Sequence, residues 1–398
     1  GEEAPESDFS GLIDFERRRE YERHLGVLLF QILSELCGCE PKWGILTGIH
    51  PVKLLRQLTQ QQGEEAAMDF FRRKLLVSPE KIELARRTMT VQRPFLAQNR
   101  PESCSLYLSI PFCPTRCSYC SFVSQTVERS ARLIPEYVEL LCRETAYTGA
   151  IAKELGLRLE SVYIGGGTPT TLNGEQLTKL IHTVQESWDL SNCREFTVEA
   201  GRPDTIDREK LTALRACGIS RISINPQTLN NHVLEVIGRR HSAEQTLEAF
   251  ALARELGFDN INMDLIAGLP DDTRESFAHT LDGVLALEPE NVTVHSLALK
   301  HSARMIQQED VERFHNDGAA AAAMLEYADR RLTDAGFSPY YLYRQSRMVG
   351  NLENVGWAKP GTECYYNIIT MDETHTVLAC GAGAVSKIKD PGSDFLRR

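Results

Sequence analysis

Between Leu106 and Ala335 the chain repeats one pattern six times: a short apolar run, a turn, then a longer amphipathic stretch. The apolar runs are Leu106–Ile110, Ser161–Ile164, Glu195–Glu199, Arg221–Ile224, Asn260–Ile266 and Asn291–Leu297. The stretches between and after them, Ile134–Leu155, Gly174–Ser187, Asp207–Ala216, Ala243–Leu256, Thr273–Leu287 and Ala319–Ala335, carry helical periodicity. Strands separated by whole helices cannot pair as hairpins. They lie parallel, joined by right-handed crossovers. The pattern predicts an α/β fold built on a parallel barrel or open parallel sheet. In such folds the loops after the C-terminal strand ends carry function. The chemically unusual residues fall there: a cysteine cluster, Gly165–Thr168, Glu199, Gln227 and Asp264.

The flanks read differently. Residues 1–95 are helical in pattern, with Leu25, Leu28, Leu29, Ile32, Leu33 and Leu36 forming one stripe. Pro51 opens a second helix, and Ser78-Pro79-Glu80 is a good helix start, with Ser as N-cap. Val91–Ser103, holding Pro94, Asn99 and Pro101, reads as a linker. Tyr340–Tyr343 and Tyr366–Leu378 read as further strands. The chain thus divides into a helical region 1–95, a core 104–300 and a C-terminal extension 301–398.

Composition bounds the function. Of 398 residues, 42% are hydrophobic and 25% charged, which excludes wholesale disorder and fibrous architectures. A net charge of −11 argues against a nucleic-acid surface. No window approaches the roughly 18 uninterrupted apolar residues of a membrane helix, and the acidic start Gly1–Asp8 does not read as a targeting peptide. Eleven cysteines in a chain this long predict a reducing, cytoplasmic setting rather than a disulfide scaffold.

Three of those cysteines sit in one tight loop after the first strand: Cys113, Cys117 and Cys120 in CPTRCSYC. Three thiolates at this spacing can each hold one iron of a 4Fe-4S cluster, leaving the fourth iron without a protein ligand. Cluster cysteines usually come in fours, so the deficit points to an open position for a substrate or cosubstrate. A zinc site completed from a distance and plain packing are the other readings. The other eight cysteines read as buried small hydrophobes. Gly165–Gly167 allow close backbone approach to a ligand and fit equally a tight strand-to-helix turn. Glu199 ends an apolar strand and Asp264 lies on one, where each carboxylate needs a partner or solvent.

The Cys-x3-Cys-x2-Cys spacing, Tyr119 before the last cysteine and the barrel pattern resemble the radical S-adenosylmethionine (SAM) superfamily. LYLSIPFC, YIGGGTPTTL, INPQTL and NMDLIAGLP resemble its oxygen-independent coproporphyrinogen III oxidase group (HemN-like). WGILTGIHPVKLL before them, and YYLYRQ, GNLENVGWAKPG and ACGAGAVSK after them, resemble the HemZ-type branch. The resemblance implies a partial (β/α)6 TIM-like barrel, a 4Fe-4S cluster on Cys113, Cys117 and Cys120, and SAM chelating the open iron, with a second SAM beside the first. It also implies SAM contacts from Gly166, Gly167, Thr168, Glu199, Gln227 and Arg239, and from Asp264 to the ribose. Tyr107 is expected next to the cluster or as a core aromatic, Phe112 against the cluster or adenine or in ordinary core packing, and Leu297 through its backbone only. The family often has His where this chain has Ser109.

The same resemblance implies oxidative decarboxylation of coproporphyrinogen III to protoporphyrinogen IX, with an electron donor such as flavodoxin or ferredoxin. Arg202, Arg239, Arg240 and Arg344, and the aromatic patch Tyr340, Tyr341 and Tyr343, are the candidates to face the anionic tetrapyrrole, with a plain surface strand the other reading of the patch. Relatives with the same core motifs include methyltransferases, haem-degrading enzymes and haem chaperones, and the core motifs do not separate them.

Overall fold

The computed structural model describes residues 14–122, 124–298, 318–345, 348–390 and 396–398; the start Gly1–Asp8 lies outside these. Six parallel strands form the centre: β1 (Ser103–Ile110), β2 (Arg158–Gly166), β3 (Glu195–Gly201), β4 (Arg221–Ile224), β5 (Asn260–Ala267) and β6 (Asn291–Ser296). The sheet continues at one edge with β9 (Thr376–Cys380), parallel to β1. At the other edge β8 (Asn354–Ala358) and then β7 (Ser338–Tyr343) add antiparallel. This is the partial barrel that the family resemblance implies, with the parallel strand order that the strand–helix alternation predicts. β4 and the helix Gly174–Ser187 match the expected limits to the residue.

Among the described residues four helices precede β1: α1 (Asp14–Cys37), α2 (Pro51–Gln62), α3 (Glu64–Arg73) and α4 (Pro79–Leu96). The crossover helices are α5 (Ile134–Glu154), α6 (Gly174–Ser187), α7 (Arg208–Ala216), the short α8 (Asn231–Val236), α9 (Ala243–Glu255), α10 (Arg274–Ala286) and α11 (Gly318–Asp334), followed by α12 (Tyr365–Asp372). Local chemistry fixes several starts. Asn173 with Gln176, and Ser242 with Gln245, form reciprocal capping boxes at α6 and α9.

The strands alternate by residue. Leu106 and Leu108, Val162 and Ile164, Ile222 and Ile224, Ile261 and Met263, and Val292 and Val294 belong to the apolar core. The alternate positions turn inward and are polar or aromatic: Tyr107, Tyr163, Glu199, Asn262, Asp264, Thr293 and His295 all line one cavity. Filled TIM barrels carry branched apolar residues on that face. A polar interior instead leaves room for a ligand.

Two sequence expectations fail in the flanks. Val91–Ser103 is not a linker, because α4 runs through Pro94 to Leu96. Pro94 sits in the last turn, where it removes one i→i−4 hydrogen bond, and the helix ends two residues later. Tyr366–Leu378 is not one strand; α12 occupies Tyr365–Asp372 before β9 begins at Thr376. The cause is long-range: the Glu195 carboxylate on β3 accepts the Tyr365 N–H at 2.8 Å and the Tyr366 N–H at 3.4 Å. A carboxylate there satisfies orphan donors and complements the positive end of the helix dipole.

The stripe expected on α1 exists, but Leu25, Leu28, Leu29, Ile32, Leu33 and Leu36 are all exposed. Gly26 lies against Ile45 instead. Among the described residues no helix is long and apolar enough to cross a membrane.

Candidate active site

The cysteine loop is held from four sides. Phe112–Cys113 pairs in parallel with Gln125–Thr126, and Gln125 N–H donates to Pro111 O at 2.8 Å, closing the loop at its base. Inside it, Ser118 N–H donates to Ile237 O (3.0 Å) at the end of α8, and Thr115 Oγ1 donates to Gly238 O (3.1 Å). Arg202, after β3, donates from Nη1 to Thr115 Oγ1 at 2.9 Å and approaches Cys117 Sγ at 3.7 Å. Thr168 Oγ1, after β2, reaches Cys113 Sγ at 3.6 Å.

Burial pushes the Cys113 thiol up and the Cys120 thiol up to about 11. Buried thiols of this kind become thiolates when a metal coordinates them. Among the described residues no three His, Cys, Asp or Glu side chains gather as ligands of a single metal ion. Three cysteines on one wall of a cavity, without a fourth ligand, fit a cluster with one open iron better than zinc.

The glycine run is demanded by this wall. A Cβ on Gly167 would lie 2.6 Å from Phe112 O and 3.0 Å from Cys113 Sγ. Gly166 has φ +107, a region closed to ordinary side chains, and its Cβ would meet Ser109 Oγ at 2.9 Å. The end of β2 therefore passes directly beneath Cys113 only as glycine.

Two carboxylates face the cavity, and their surroundings shift them in opposite directions. Burial raises Glu199 to about 7, and the negative Asp264 adds to the shift; the Tyr163 hydroxyl, donating to Oε1 at 2.6 Å, works against it. Burial also acts on Asp264, but hydrogen bonding and charge from His295, with Asn262 and Thr293, outweigh it and hold this carboxyl below its ordinary value. Asn262 Nδ2 donates to Asp264 Oδ1 at 2.7 Å, and His295 Nε2 lies 3.8 Å from Oδ2.

Gln227 bridges β4 and β5 from outside both strands: its N–H donates to Asp264 O (2.9 Å) and its carbonyl accepts from Ile266 N–H (3.0 Å). It does so at φ +69, unusual for a residue other than glycine. Its side-chain Oε1 is buried on the cavity wall without a donor from the protein. An acceptor in that position fits an N–H or O–H supplied by a ligand. Arg239 also lines the cavity, donating to Asn225 O (2.5 Å) and Tyr119 Oη (3.2 Å), while Arg240 is exposed.

Tyr107, Tyr163 and Tyr366 stack as a floor, with centroids 4.6 Å apart for Tyr163 and Tyr366 and 6.2 Å for the other two pairs. Tyr341 and Tyr343 continue the wall. The cavity encloses about 450 Å³.

Every predicted cofactor residue, Tyr107, Cys113, Cys117, Cys120, Gly166, Gly167, Thr168, Glu199, Gln227, Arg239, Asp264 and Leu297, lines this one cavity. The Leu297 carbonyl is already engaged by Val349 N–H at 2.9 Å. Other expectations are corrected. For Phe112 the core reading holds: it packs edge-on against Tyr137 (5.2 Å) and does not line the cavity. Tyr340 is fully buried. Arg344 is buried away from the cavity, donating to Leu46 O and Asn351 O. Sequence reasoning missed Tyr163, Asn225, Asn262, Asn354, Tyr366 and Asn367.

This fold and its cysteine wall define a class: residues 107–284 match the Radical SAM superfamily. The "Oxygen-independent coproporphyrinogen-III oxidase-like protein HemZ" of Bacillus subtilis is 39% identical over 94% of this chain and 75% of its own length. The "Heme chaperone HemW" of the same organism is 34% identical over 70% of each chain. Among solved structures, Escherichia coli coproporphyrinogen III oxidase (HemN), described as a radical SAM enzyme, aligns at TM-score 0.60 and 26% identity, over 75% of this chain and 67% of that one. The chain belongs to the HemZ/HemN-like family of radical SAM proteins. That family's cofactors are a 4Fe-4S cluster and SAM.

Proposed function

We propose that this protein oxidatively decarboxylates coproporphyrinogen III propionates to vinyl groups, giving protoporphyrinogen IX. The observation that carries the reading is that similarity to the HemZ-like relative extends over 94% of the chain, beyond the shared core. The structure gives those outer segments a place at the site: Tyr341, Tyr343, Asn354, Tyr366 and Asn367 all come from beyond the six-stranded core and wall the same cavity.

In this reading Cys113, Cys117 and Cys120 hold the cluster. The backbone of Gly166 and Gly167, with Thr168, Glu199, Gln227 and Arg239, receives the methionyl end of SAM, and Asp264 accepts from the ribose hydroxyls. When bound, the cluster and SAM supply a 5′-deoxyadenosyl radical able to take a propionate β-hydrogen. Asp264, held ionised by His295 and Asn262, is suited to accept hydroxyl donors. The stacked tyrosines exclude water from the region in front of the cluster. Each propionate gives up one hydrogen atom, one electron and CO2. The electron requires an external acceptor, and the cluster requires a one-electron donor such as flavodoxin or ferredoxin.

A haem chaperone is the second reading, favoured by the heme chaperone relative. The test is anaerobic reconstitution with iron and sulfide, then SAM, reductant, an electron acceptor and coproporphyrinogen III, with the product mass measured. Loss of one or two carboxyl groups as vinyls is the expected result. An unchanged tetrapyrrole in a sample that still makes 5′-deoxyadenosine overturns it, and stable haem binding in that sample selects the chaperone.

A further inference from the structure

None of the eleven cysteines is in a disulfide, and two of them, Cys37 and Cys39, are exposed; the rest are buried or half-buried. This pair departs from the expectation that cysteines outside the cluster loop are buried small hydrophobes. Cys37 is the last residue of α1, and Cys39 follows after a single glycine. Gly38 has φ +63, and nothing lies within 4 Å of where its Cβ would be. The left-handed residue turns the chain at the helix end, and the open space around it leaves the turn free to adjust.

Covalent geometry then favours closure. Two residues of fully extended chain span at most about 7 Å, and a turn at the middle residue shortens that. A turned Cys-Gly-Cys step is therefore short enough to meet the Cα window of roughly 4.4–6.8 Å in which disulfides form. A metal site is the competing use of two neighbouring thiols. Among the described residues no third His, Cys, Asp or Glu joins them in a group able to hold an ion.

We propose that Cys37 and Cys39 are a redox-active dithiol that closes to an intramolecular disulfide by exchange with a low-molecular-weight disulfide. One Cys thiolate attacks a sulfur of the small disulfide, forming a mixed disulfide and releasing one thiolate. The second Cys thiolate then attacks the protein sulfur of that mixed disulfide, forming the 37–39 bond and releasing the other thiolate. Two protein thiols are oxidised, one disulfide is reduced to two thiols, and the two protons lost by the cysteines match those taken up by the products. The pair lies between α1 and the Trp43 segment, so the disulfide would stiffen the exit of a helix whose apolar stripe is exposed.

The test uses the full chain with its cluster reconstituted, treated anaerobically with oxidised glutathione, then alkylated and mapped by peptide mass. The expected result is a peptide carrying Cys37 and Cys39 that has lost two hydrogens and resists alkylation. It should form at least about tenfold faster than half-buried Cys193 is modified, since exchange follows access. Cys37→Ser and Cys39→Ser should each keep one glutathione on the remaining cysteine, because no second thiol can displace it. Retained cluster absorbance separates these events from damage at Cys113, Cys117 and Cys120. Glutathione persisting on both cysteines of the unaltered chain overturns the proposal. So does a bond joining two chains, a pair that does not react, or thiols protected by bound zinc.

Discussion

Glu199 and Asp264 share one cavity, yet their surroundings push their protonation apart. Burial dominates at Glu199, and partners dominate at Asp264. The sign of the stability effect follows. The Glu199 contribution is fully present below its ordinary value of 4.5 and is lost as pH rises through about 7. Asp372, raised by burial to about 6, acts in the same direction. Glu199→Gln keeps the size and a partner for Tyr163 but removes the ionisation. Without SAM, the variant should gain on the order of 1–2 kcal/mol over the unaltered chain at about pH 8, with the gain gone below about pH 4.5. Urea midpoints across that range check this; a gain independent of pH would place the effect elsewhere. Gly167→Ala tests the neighbouring wall. The new methyl would press on Phe112 O and Cys113 Sγ, so the cysteine loop must move. Iron bound per chain after reconstitution should fall several-fold while the folded content holds. Full iron loading would show that the loop yields freely.

At the scale of elements, α12 owes its start to Glu195. Three backbone and thiol donors at the end of one helix leave little room for an unpaired replacement: the carboxylate takes Tyr365 N–H, Tyr366 N–H and Cys364 Sγ, the last at 3.1 Å. Glu195→Ala should therefore destabilise the protein by about 1–2 kcal/mol, measured by denaturant unfolding, since both cap and dipole partner go. It should also loosen Tyr366, the α12 residue on the cavity floor, which limited proteolysis near 365–372 would report. An unchanged unfolding midpoint would assign the start of α12 to packing alone. This contact explains why the helix was illegible in sequence. Tyr366, Ile368 and Ile369 favour strands locally, and the residue that overrides them lies 170 positions away. The crossover helices were legible because their caps are local, as at Asn173 and Ser242. The site divides similarly. Cysteines and glycines announce themselves by spacing, whereas Tyr163 and Asn262 looked like strand residues. A signal existed, since Asn262 precedes Asp264 by two, Tyr163 precedes Gly165 by two, and residues two apart on a strand share a face. Tyr366 and Asn354 had no such signal, because only the closed fold brings them to the cavity.

Across the whole molecule, the helical region that reads as separate in sequence shares one core with the barrel: Trp43, Leu55, Phe71 and Met89 belong to the same apolar cluster as Leu106 and Val292. Polar ties cross the same boundary. Arg56 pairs with Asp372 at 2.7 Å, Arg87 with Asp329 at 2.6 Å, and Gln92 donates to Tyr340 O at 3.1 Å. The most buried tie is Glu353, just before β8, which accepts from Trp43 Nε1 at 2.7 Å and pairs with Lys81 at 2.5 Å. Its backbone carbonyl takes the Ser296 hydroxyl at 2.8 Å, and Asn354 Oδ1 takes Ser296 N–H at 2.9 Å, at the end of β6 beside the cavity. Glu353 thus joins the N-terminal helices, the antiparallel edge and one cavity wall. Glu353→Ala would leave the Lys81 ammonium and the Trp43 N–H buried without their shared partner, a loss of about 3–5 kcal/mol. If residues 14–96 fold together with the barrel, helix signal by circular dichroism and tryptophan fluorescence should unfold at one midpoint in both proteins, shifted downward together in the variant. Two separated transitions, with only the first moved by Glu353→Ala, would make the N-terminal helices an independent unit docked on a barrel that stands without them. The continuous core argues for the single transition, because removing the helices would expose apolar residues from both sides of that boundary.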